Sequence, residues 1–244
     1  MPKIFEIGGC VRDELLGIHT KDIDFTFVLD DLNKSVDEGW NLMLDHLKNE
    51  GFKIFLETKD CFTVRAMFPK GHKHEGLVAD FVMARKEIGY KKGTRKPILE
   101  LGTLLDDQRR RDFTINAMAR DEDGVLIDPF EGVIDLDKKI IRTPLDPVET
   151  LMEDPLRMLR AIRFSITKGF EIEESLFQAM FTEGLLKKLE EVVSEERIRE
   201  ELQKMLQHDS AATIRMLGVF DKVNGLLDII FKGDLWLSPT TKKK

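Results

Sequence analysis

Two aspartates stand two residues apart in the segment KDIDF, shortly after the segment GGCVRDELLG. If IDFTFVL is a β-strand, Asp22 and Asp24 project to one face of it, while Ile23 and Phe25 project to the other. Two carboxylates held this close repel each other unless a cation lies between them, and hard oxygen ligands suit Mg²⁺. The spacing therefore predicts a metal site at Asp22 and Asp24, of a kind that binds the phosphates of a nucleotide.

The glycine pair before the aspartates has the composition of a phosphate-binding turn. Gly8 and Gly9 let backbone N–H groups approach a phosphate closely, and a helix beginning near Cys10 points its positive end the same way. Arg12 adds a charge-assisted contact to phosphate. Taken alone, the glycines are better explained as an ordinary strand-to-helix turn, and the aspartates as solvent-exposed groups. The two motifs together favour a site for a metal and a nucleotide.

Composition limits the class of protein. The chain has 244 residues, 42% hydrophobic and 34% charged, which is typical of a soluble globular protein with one large domain or two small ones. No apolar run approaches the roughly 20 residues of a membrane span, and the start, MPKIFEIGG, lacks a signal-peptide pattern. We therefore expect a cytoplasmic protein with no membrane partner. Cys10 and Cys61 are too few for a disulfide framework, and we expect both to be reduced and packed.

The distribution of apolar residues changes along the chain. The first part contains short runs rich in Ile, Val and Phe, which are typical of strands: KIFEI, IDFTFVL, FKIFLE, CFTVRAMF and LVADFVMA. One helix is predicted there, at about 36–49. After Pro144 to Pro147 the apolar residues take helical spacing, first at Leu156, Leu159, Ile162 and Phe164, and then at Ile198, Leu202, Met205 and Leu206. We predict two domains, residues 1–143 with a sheet and helices, and residues 144–244 with helices only.

Five segments, in this order, resemble the class II tRNA nucleotidyltransferases and bacterial poly(A) polymerases, which are polymerase-β-like nucleotidyltransferases. They are GGCVRDELLG with KDIDF, RRRDFTINAMA (109–119), IDPFEGVIDL (127–136), EDPLRMLRAIRF (153–164) and SEERIREEL (194–202). The resemblance runs from about residue 4 to residue 205, and several motifs in order are more specific than any one alone. It implies the α+β class, with a polymerase-β-like head of mixed sheet and helices followed by an all-α neck.

The resemblance also implies a reaction. It is template-independent transfer of C and A residues from CTP and ATP to the 3′ end of tRNA, by two-metal phosphoryl transfer with Mg²⁺ as the cofactor. In that reaction Asp22 and Asp24 hold the metals that activate the RNA 3′-hydroxyl and stabilise the leaving pyrophosphate. Asp80, in LVADFVMAR, is a candidate third ligand, although a structural aspartate paired with Arg85 is an equally good interpretation. Poly(A) polymerase shares every motif, and a catalytically inactive nucleotide-binding or RNA-binding regulator is an alternative of another class.

The segment RRRDFTINAMA contributes further nucleotide-binding residues through the resemblance. It implies that Arg111 contacts the triphosphate, while Asp112 and Asn116 recognise the ribose or orient the arginine. Without the resemblance, the segment is better explained as the N-terminus of a helix with a solvated basic run.

The segment EDPLRMLRAIRF bears on the choice of base. Arg157, Arg160 and Arg163 recur every three residues, which places them on one broad side of a predicted helix, and Asp154 before a proline is a good helix start. Cytosine and adenine both present an amino donor beside a ring-nitrogen acceptor. In the family, a carboxylate and a guanidinium at the positions of Asp154 and Arg157 read this pattern and select CTP and ATP. We expect Arg160 and Arg163 to contact phosphate or ribose, or to support that pair.

Two further features bear on the RNA substrate. Segment 87–102, EIGYKKGTRKPILELG, contains glycine and basic residues, so we expect a mobile loop near the active site, similar to the family's flexible loop. Full bacterial members carry helical body and tail regions after the neck, whereas here residues 165–244 follow the EDPLRMLRAIRF segment. We expect a compact enzyme. Two arrangements stay open: weak RNA binding by one protomer, or a homodimer whose second protomer completes the RNA surface.

Overall fold

The chain divides into two compact units, Met1–Val133 and Ile134–Lys244. The structure, a computed structural model, describes residues 2–20, 23–90 and 97–231. The domain boundary predicted at residue 143 falls inside the second unit. Within the described ranges no helix combines the length and the apolar character needed to cross a membrane.

A mixed sheet dominates the first unit. The described strands of this unit are β1 (Lys3–Ile7), β2 (Asp24–Val28), β3 (Lys53–Thr58), β4 (Thr63–Met67), β5 (Val78–Met83), β6 (Arg85–Tyr90), β7 (Pro97–Leu101), β8 (Ala119–Arg120) and β9 (Leu126–Ile127). Among the described residues, seven of these form one sheet in the order β3-β4-β5-β2-β1-β8-β9. The pair β2 and β5 is parallel, and the other pairs are antiparallel. Each of the five predicted runs contains one of these strands, so those predictions are confirmed.

Helices pack around the sheet of the first unit. They are α1 (Gly9–Leu15), α2 (Val36–Asn49) and α3 (Leu104–Arg109), with a 3₁₀ turn at Thr114–Asn116. Helix α2 has the predicted bounds. Its start is fixed by a capping box, because the Ser35 hydroxyl accepts the N–H of Glu38 at 3.2 Å and the Glu38 carboxylate accepts the N–H of Ser35 at 2.8 Å.

The two faces of the sheet differ in character around β2 and β5. Phe25 and Phe27 of β2 and Phe81 of β5 are buried in one apolar cluster with the inner side of α2. Because side chains alternate along a strand, Asp24 and Asp80 lie on the opposite face. The central strands therefore have one core face and one face that carries polar side chains.

The segment 87–102 differs from its prediction as a mobile loop. Strands β6 and β7 pair antiparallel as a hairpin, and the N–H of Gly102 donates to the carbonyl of Ala84 at 3.0 Å. Residues 91–96, at the centre of the segment, lie outside the described residues. The two short strands were not predicted because glycines and lysines interrupt the alternation of apolar residues on which strand prediction depends.

The two cysteines also differ from each other. Cys10 is buried as expected, and its thiol donates to the carbonyl of Ile7 at 3.3 Å. The prediction that Cys61 is packed is wrong, because it lies exposed in the 3₁₀ turn Lys59–Cys61 between β3 and β4.

Helices dominate the second unit, although residues 144–244, predicted to hold helices only, also include a two-residue strand at Glu171–Ile172. The helices are α4 (Gly132–Lys138), which begins in the first unit, α5 (Pro147–Glu153), α6 (Leu156–Lys168), α7 (Glu174–Ala179), α8 (Leu185–Val192), α9 (Glu195–His208), α10 (Ser210–Asn224) and α11 (Leu226–Ile230). The two-residue strands β10 (Ile140–Ile141) and β11 (Glu171–Ile172) pair in parallel. The predicted apolar stripes are buried, with Leu159 and Ile162 on α6 and with Ile198 and Leu202 on α9, except that Leu206 is half-buried.

Candidate nucleotide-binding and catalytic site

Two carboxylates meet on the polar face of the sheet. Asp24 of β2 and Asp80 of β5 are register partners on parallel strands. Neighbouring strands lie about 4.8 Å apart, and register partners project to the same face, so both carboxylates are within reach of one cation. Asp22 lies outside the described residues, so its role as a metal ligand stays a prediction.

Asp80 already has a cationic partner. Arg65 lies directly opposite it on the antiparallel strand β4, and its Nε and Nη2 donate to the two oxygens of Asp80 at 2.8 and 2.7 Å. The sequence had suggested Arg85 as the partner, but Nη1 of Arg85 donates to the carbonyl of Cys61 at 2.7 Å. Strand register therefore decides the pairing of Asp80, and proximity in sequence does not.

Arg12 joins α1 to the RRRDFTINAMA segment. Its side chain is buried, and Nη1 hydrogen-bonds Oδ1 of Asn116. The Nδ2 of Asn116 donates to Oδ1 of Asp112 at 2.9 Å, and Asp13 pairs with Arg12 at 2.8 Å. Three residues predicted to bind the nucleotide thus form one hydrogen-bonded group.

Gly8 and Gly9 lie beside two arginines, Arg111 and Arg12. A β-carbon built on Gly8 would stand 2.6 Å from Nη1 of Arg111, and one built on Gly9 would stand 3.4 Å from Nη2 of Arg12. Gly8 also has a φ of +88°, which side chains rarely adopt. The glycine turn therefore lets the backbone approach the guanidinium groups closely.

Asp107 is a buried carboxylate that lies outside the set of predicted site residues. Its Oδ2 accepts the hydroxyl of Thr26 at 2.8 Å and pairs with Nη2 of Arg111 at 3.1 Å, while its Oδ1 pairs with Arg110. Burial alone would raise the pKa of Asp107, but the positive charges of Arg111 and Arg110 and the Thr26 hydrogen bond bring the pKa below its ordinary value. Asp107 precedes Arg110 by three residues and Arg111 by four, and this spacing was the sequence signal that could have indicated the ion pairs.

RRRDFTINAMA does not begin a helix. Arg109 ends α3, and Arg110 and Arg111 follow it. The interpretation of this segment as a helix N-terminus with a solvated basic run is therefore wrong. Arg110 and Arg111 are instead bound to the buried carboxylate of Asp107 in the preceding helix, and Arg109 is exposed.

Within the second unit, Asp154 and Arg157 have separate partners. Oδ2 of Asp154 pairs with Nη2 of Arg197 on α9 at 2.9 Å, and Oδ1 accepts the N–H of Leu156 at 3.2 Å. Nη1 of Arg157 pairs with Glu153 at 2.8 Å and donates to a backbone carbonyl of α5. The carboxylate of Asp154 therefore caps the first turn of α6, as its place before a proline predicted.

Arg160 and Arg163 both reach a buried glutamate on α9. Nε of Arg163 donates to Oε2 of Glu201, and Nη1 of Arg160 lies 3.8 Å from Oε1. The guanidinium of Arg163 also lies 4.4 Å from the ring centre of Phe164. Arg197 and Glu201, which these contacts identify, were missed as site residues, although their spacing of four in SEERIREEL places them on one helix face.

The mixed sheet with its flanking helices is the fold of a class of protein, the head domains of the poly(A) polymerase type. Residues 4–142, more than half of the chain, match the family described as the Poly A polymerase head domain. The chain belongs to this family, which confirms the resemblance seen in the sequence.

Curated relatives and solved structures agree with this family. The tRNA nucleotidyltransferase cca2 of Schizosaccharomyces pombe is 34% identical over 215 residues, which cover 84% of this chain and 43% of that protein. The CCA-adding enzyme of Limosilactobacillus fermentum is 33% identical over 208 residues, covering 82% of this chain and 45% of that enzyme. The chain thus spans less than half the length of these two relatives.

The structural likeness confirms the predicted fold class. The Bacillus stearothermophilus CCA-adding enzyme, solved in complex with CTP, has a TM-score of 0.70 and 28% identity, covering 92% of this chain and 49% of that one. The Thermotoga maritima CCA-adding enzyme, solved with a tRNA, has a TM-score of 0.69 and 29% identity, covering 94% of this chain and 48% of that one.

Proposed function

We propose that this chain is a nucleotidyltransferase that adds C and A residues from CTP and ATP to the 3′ ends of tRNA. The observation that carries the proposal is the register pairing of Asp24 with Asp80 on the polar face of the sheet. This sheet lies in the part of the chain that matches the Poly A polymerase head domain. Relatives named CCA-adding enzymes, one solved with CTP and one with tRNA, support the choice of nucleotide and RNA.

Asp22, Asp24 and Asp80 would hold Mg²⁺. Carboxylate oxygens are the ligands this ion prefers, and the pairing of β2 with β5 places two of the three side by side. When bound, the ion supplies activation of the RNA 3′-hydroxyl and stabilises the pyrophosphate leaving group. The described residues contain no group of three His, Cys, Asp or Glu side chains arranged for a metal. The proposed site therefore needs Asp22 or substrate oxygens in addition to Asp24 and Asp80.

Arg111, beside the glycine turn, binds the triphosphate in this proposal. Arg111 keeps one-fifth of its side chain exposed while Asp107 holds its guanidinium in place, so it contacts phosphate oxygens directly. Arg12 is almost fully buried and supports this site by fixing Asn116, which in turn orients Asp112. Asp112 and Asn116 are as buried as Arg12, so in this proposal they orient the arginines.

Asp154 and Arg157 supply the selection of the base. A carboxylate beside a guanidinium accepts from the amino group of cytosine or adenine and donates to the ring nitrogen, whereas uracil and guanine present the reverse order. Arg197 and the N–H of Leu156 each use one lone pair of the Asp154 carboxylate, which has about four in total, so the group still has acceptor capacity for a base. Arg160 and Arg163 stabilise α6 through Glu201 in this arrangement.

Incubation of the protein with Mg²⁺, each nucleoside triphosphate separately, and tRNAs that end before, within and after the CCA sequence tests this function. We expect CMP addition to the tRNA that ends before CCA, AMP addition to the tRNA that ends in CC, and no addition to the complete tRNA. Long AMP tracts on every RNA would instead identify a poly(A) polymerase. Binding of nucleotide and RNA without any product would identify a regulator. The Asp24→Ala variant is the matched control for contaminating activity.

A further inference from the structure

We propose that Arg65 competes with the divalent cation for Asp80, and that this competition sets the metal affinity of the acidic site. The inference rests on the proposed nucleotidyltransferase function, because it takes Asp24 and Asp80 as metal ligands. It assigns a positioning role to a residue that lies outside all the sequence motifs of the family resemblance.

The geometry of the Arg65 and Asp80 pair supports this role. The two residues are register partners on β4 and β5, and two parallel hydrogen bonds of 2.8 and 2.7 Å engage both carboxylate oxygens. A planar guanidinium matches a carboxylate in this forked arrangement better than an ammonium does. Asp80 is at the same time the register partner of Asp24, so the arginine holds one half of the acidic pair.

The exposure of the two side chains suits a reversible pairing. Arg65 keeps 55% of its side chain exposed, while Asp80 keeps 28% and sits on an interior strand of the sheet. Arg65 therefore rotates into water without uncovering the core, and Asp80 stays in place. Breaking a half-exposed ion pair costs little free energy, so a cation is able to displace the arginine.

Charge gives Arg65 opposite effects in the two states of the site. Without a cation, its positive charge offsets the repulsion between Asp24 and Asp80. With a cation, the same charge repels the ion, and the guanidinium occupies oxygens that the ion needs. Removal of Arg65 should therefore tighten metal binding, by about threefold to fivefold, which is the range that an exposed pair of good geometry supplies.

Mn²⁺ binding to the full chain, without nucleotide or RNA, tests the inference. Free Mn²⁺ is measured by electron paramagnetic resonance in the wild type and in Arg65→Gln, Arg65→Lys, Asp80→Asn and the Arg65→Gln/Asp80→Asn double variant. We expect Arg65→Gln to bind Mn²⁺ about threefold to fivefold more tightly than the wild type does. The affinity of Arg65→Lys should lie between the two, because an ammonium cannot form the two parallel hydrogen bonds of a guanidinium. In the Asp80→Asn background, Arg65→Gln should change the affinity by less than about twofold.

Lys53→Gln is the matched control. It removes one exposed positive charge from β3 of the same sheet, where the ammonium lies 5.3 Å from the ring centre of Phe55. If Lys53→Gln tightens Mn²⁺ binding as much as Arg65→Gln does, the effect comes from net charge and the inference is overturned. The same holds if Arg65→Gln tightens Mn²⁺ binding equally in the wild-type and the Asp80→Asn backgrounds. Unchanged Mn²⁺ affinity in Arg65→Gln would overturn it as well.

Asp24→Asn separates failure of this inference from failure of the proposed function. If Asp24→Asn abolishes Mn²⁺ binding while Arg65→Gln leaves it unchanged, the acidic site stands and only the role of Arg65 is lost. If Asp24→Asn leaves Mn²⁺ binding at the wild-type level, the metal site is not at the acidic pair, and both proposals fail.

Discussion

Gly8 lies against the guanidinium of Arg111, so closely that a β-carbon on Gly8 would stand 2.6 Å from Nη1. Its backbone, with φ +88° and ψ −134°, is one that glycine alone adopts without strain. We expect Gly8→Ala to lower the free energy of unfolding by about 1–3 kcal/mol through this strain. It should also raise the KM for every nucleoside triphosphate, because Arg111 is displaced. Urea unfolding and initial-rate kinetics measure the two effects.

Gly124→Ala separates the effect of backbone strain from the effect of displacing Arg111. Gly124 also has a positive φ, of +84°, but no atom lies within 4 Å of the β-carbon position. We expect this variant to lose stability and to keep the wild-type KM. A similar rise in KM for both variants would show that the contact between Gly8 and Arg111 has no particular role in nucleotide binding.

Asp22→Ala and Asp24→Ala should each abolish nucleotide transfer and leave the fold largely intact. Each removes a proposed metal ligand, and Asp24 is exposed, so its loss leaves the core unchanged. Incorporation of labelled CMP into tRNA measures transfer, and far-ultraviolet circular dichroism checks the fold. Asp123→Ala, in the exposed turn between β8 and β9, is the control and should transfer normally. Turnover near the wild-type rate in Asp24→Ala would contradict the two-metal assignment.

The sequence predicted those elements whose signals are local. Helix α2 was located because its apolar spacing and its Ser35 to Glu38 capping box lie within one continuous segment. The strand at Asp24 was located by the alternation of polar and apolar residues along it, and the same alternation placed its carboxylate on the polar face.

The contacts that the sequence did not predict depend on strand register or on packing between distant segments. Arg65 and Asp80 are 15 residues apart, and Thr26 and Asp107 are 81 residues apart. Neither pair has a local pattern, because the hydrogen-bonded ladder and the helix position bring them together. Proximity in sequence was misleading for Asp80, since it suggested Arg85.

The buried carboxylate of Asp107 should make stability depend on pH. Its pKa in the folded protein is below the ordinary value of about 3.9. Its contribution is therefore complete above roughly pH 4 and is lost as the pH falls through the lower, folded-state pKa. We expect Asp107→Asn to cost about 3 kcal/mol at pH 7, because it leaves Arg110 and Arg111 without their buried partner. Urea unfolding between pH 7 and pH 2.5 measures this cost.

The difference between the wild type and Asp107→Asn should shrink as the pH falls below 4, because the unfolded wild type then binds a proton at Asp107 while the folded protein still holds the charge. Asp123→Asn, which changes an exposed carboxylate, is the control and should unfold like the wild type at pH 7. A difference between the wild type and Asp107→Asn that is constant with pH would show that the effect comes from packing and not from the charge.

Asp154→Ala should relax the choice of base. It removes the group that accepts from the amino donor of cytosine and adenine and repels the carbonyl of uracil and guanine. A good hydrogen-bonded pair is worth roughly 1–3 kcal/mol of discrimination, so the preference for CTP and ATP over UTP and GTP should fall about tenfold to a hundredfold. Competition assays with all four nucleotides on one tRNA measure this preference.

Arg12→Ala and Arg197→Ala show whether the weaker nucleotide preference of Asp154→Ala comes from the loss of base recognition by the Asp154 carboxylate. Arg12 is buried beside Asn116 in the first unit, so its loss should slow all four nucleotides alike. Arg197→Ala frees one oxygen of Asp154 and should weaken the preference less than Asp154→Ala does. If Asp154→Ala slows incorporation but keeps the preference for CTP and ATP, its carboxylate is only the cap that bonds the N–H of Leu156, and the selection of the base belongs to other residues.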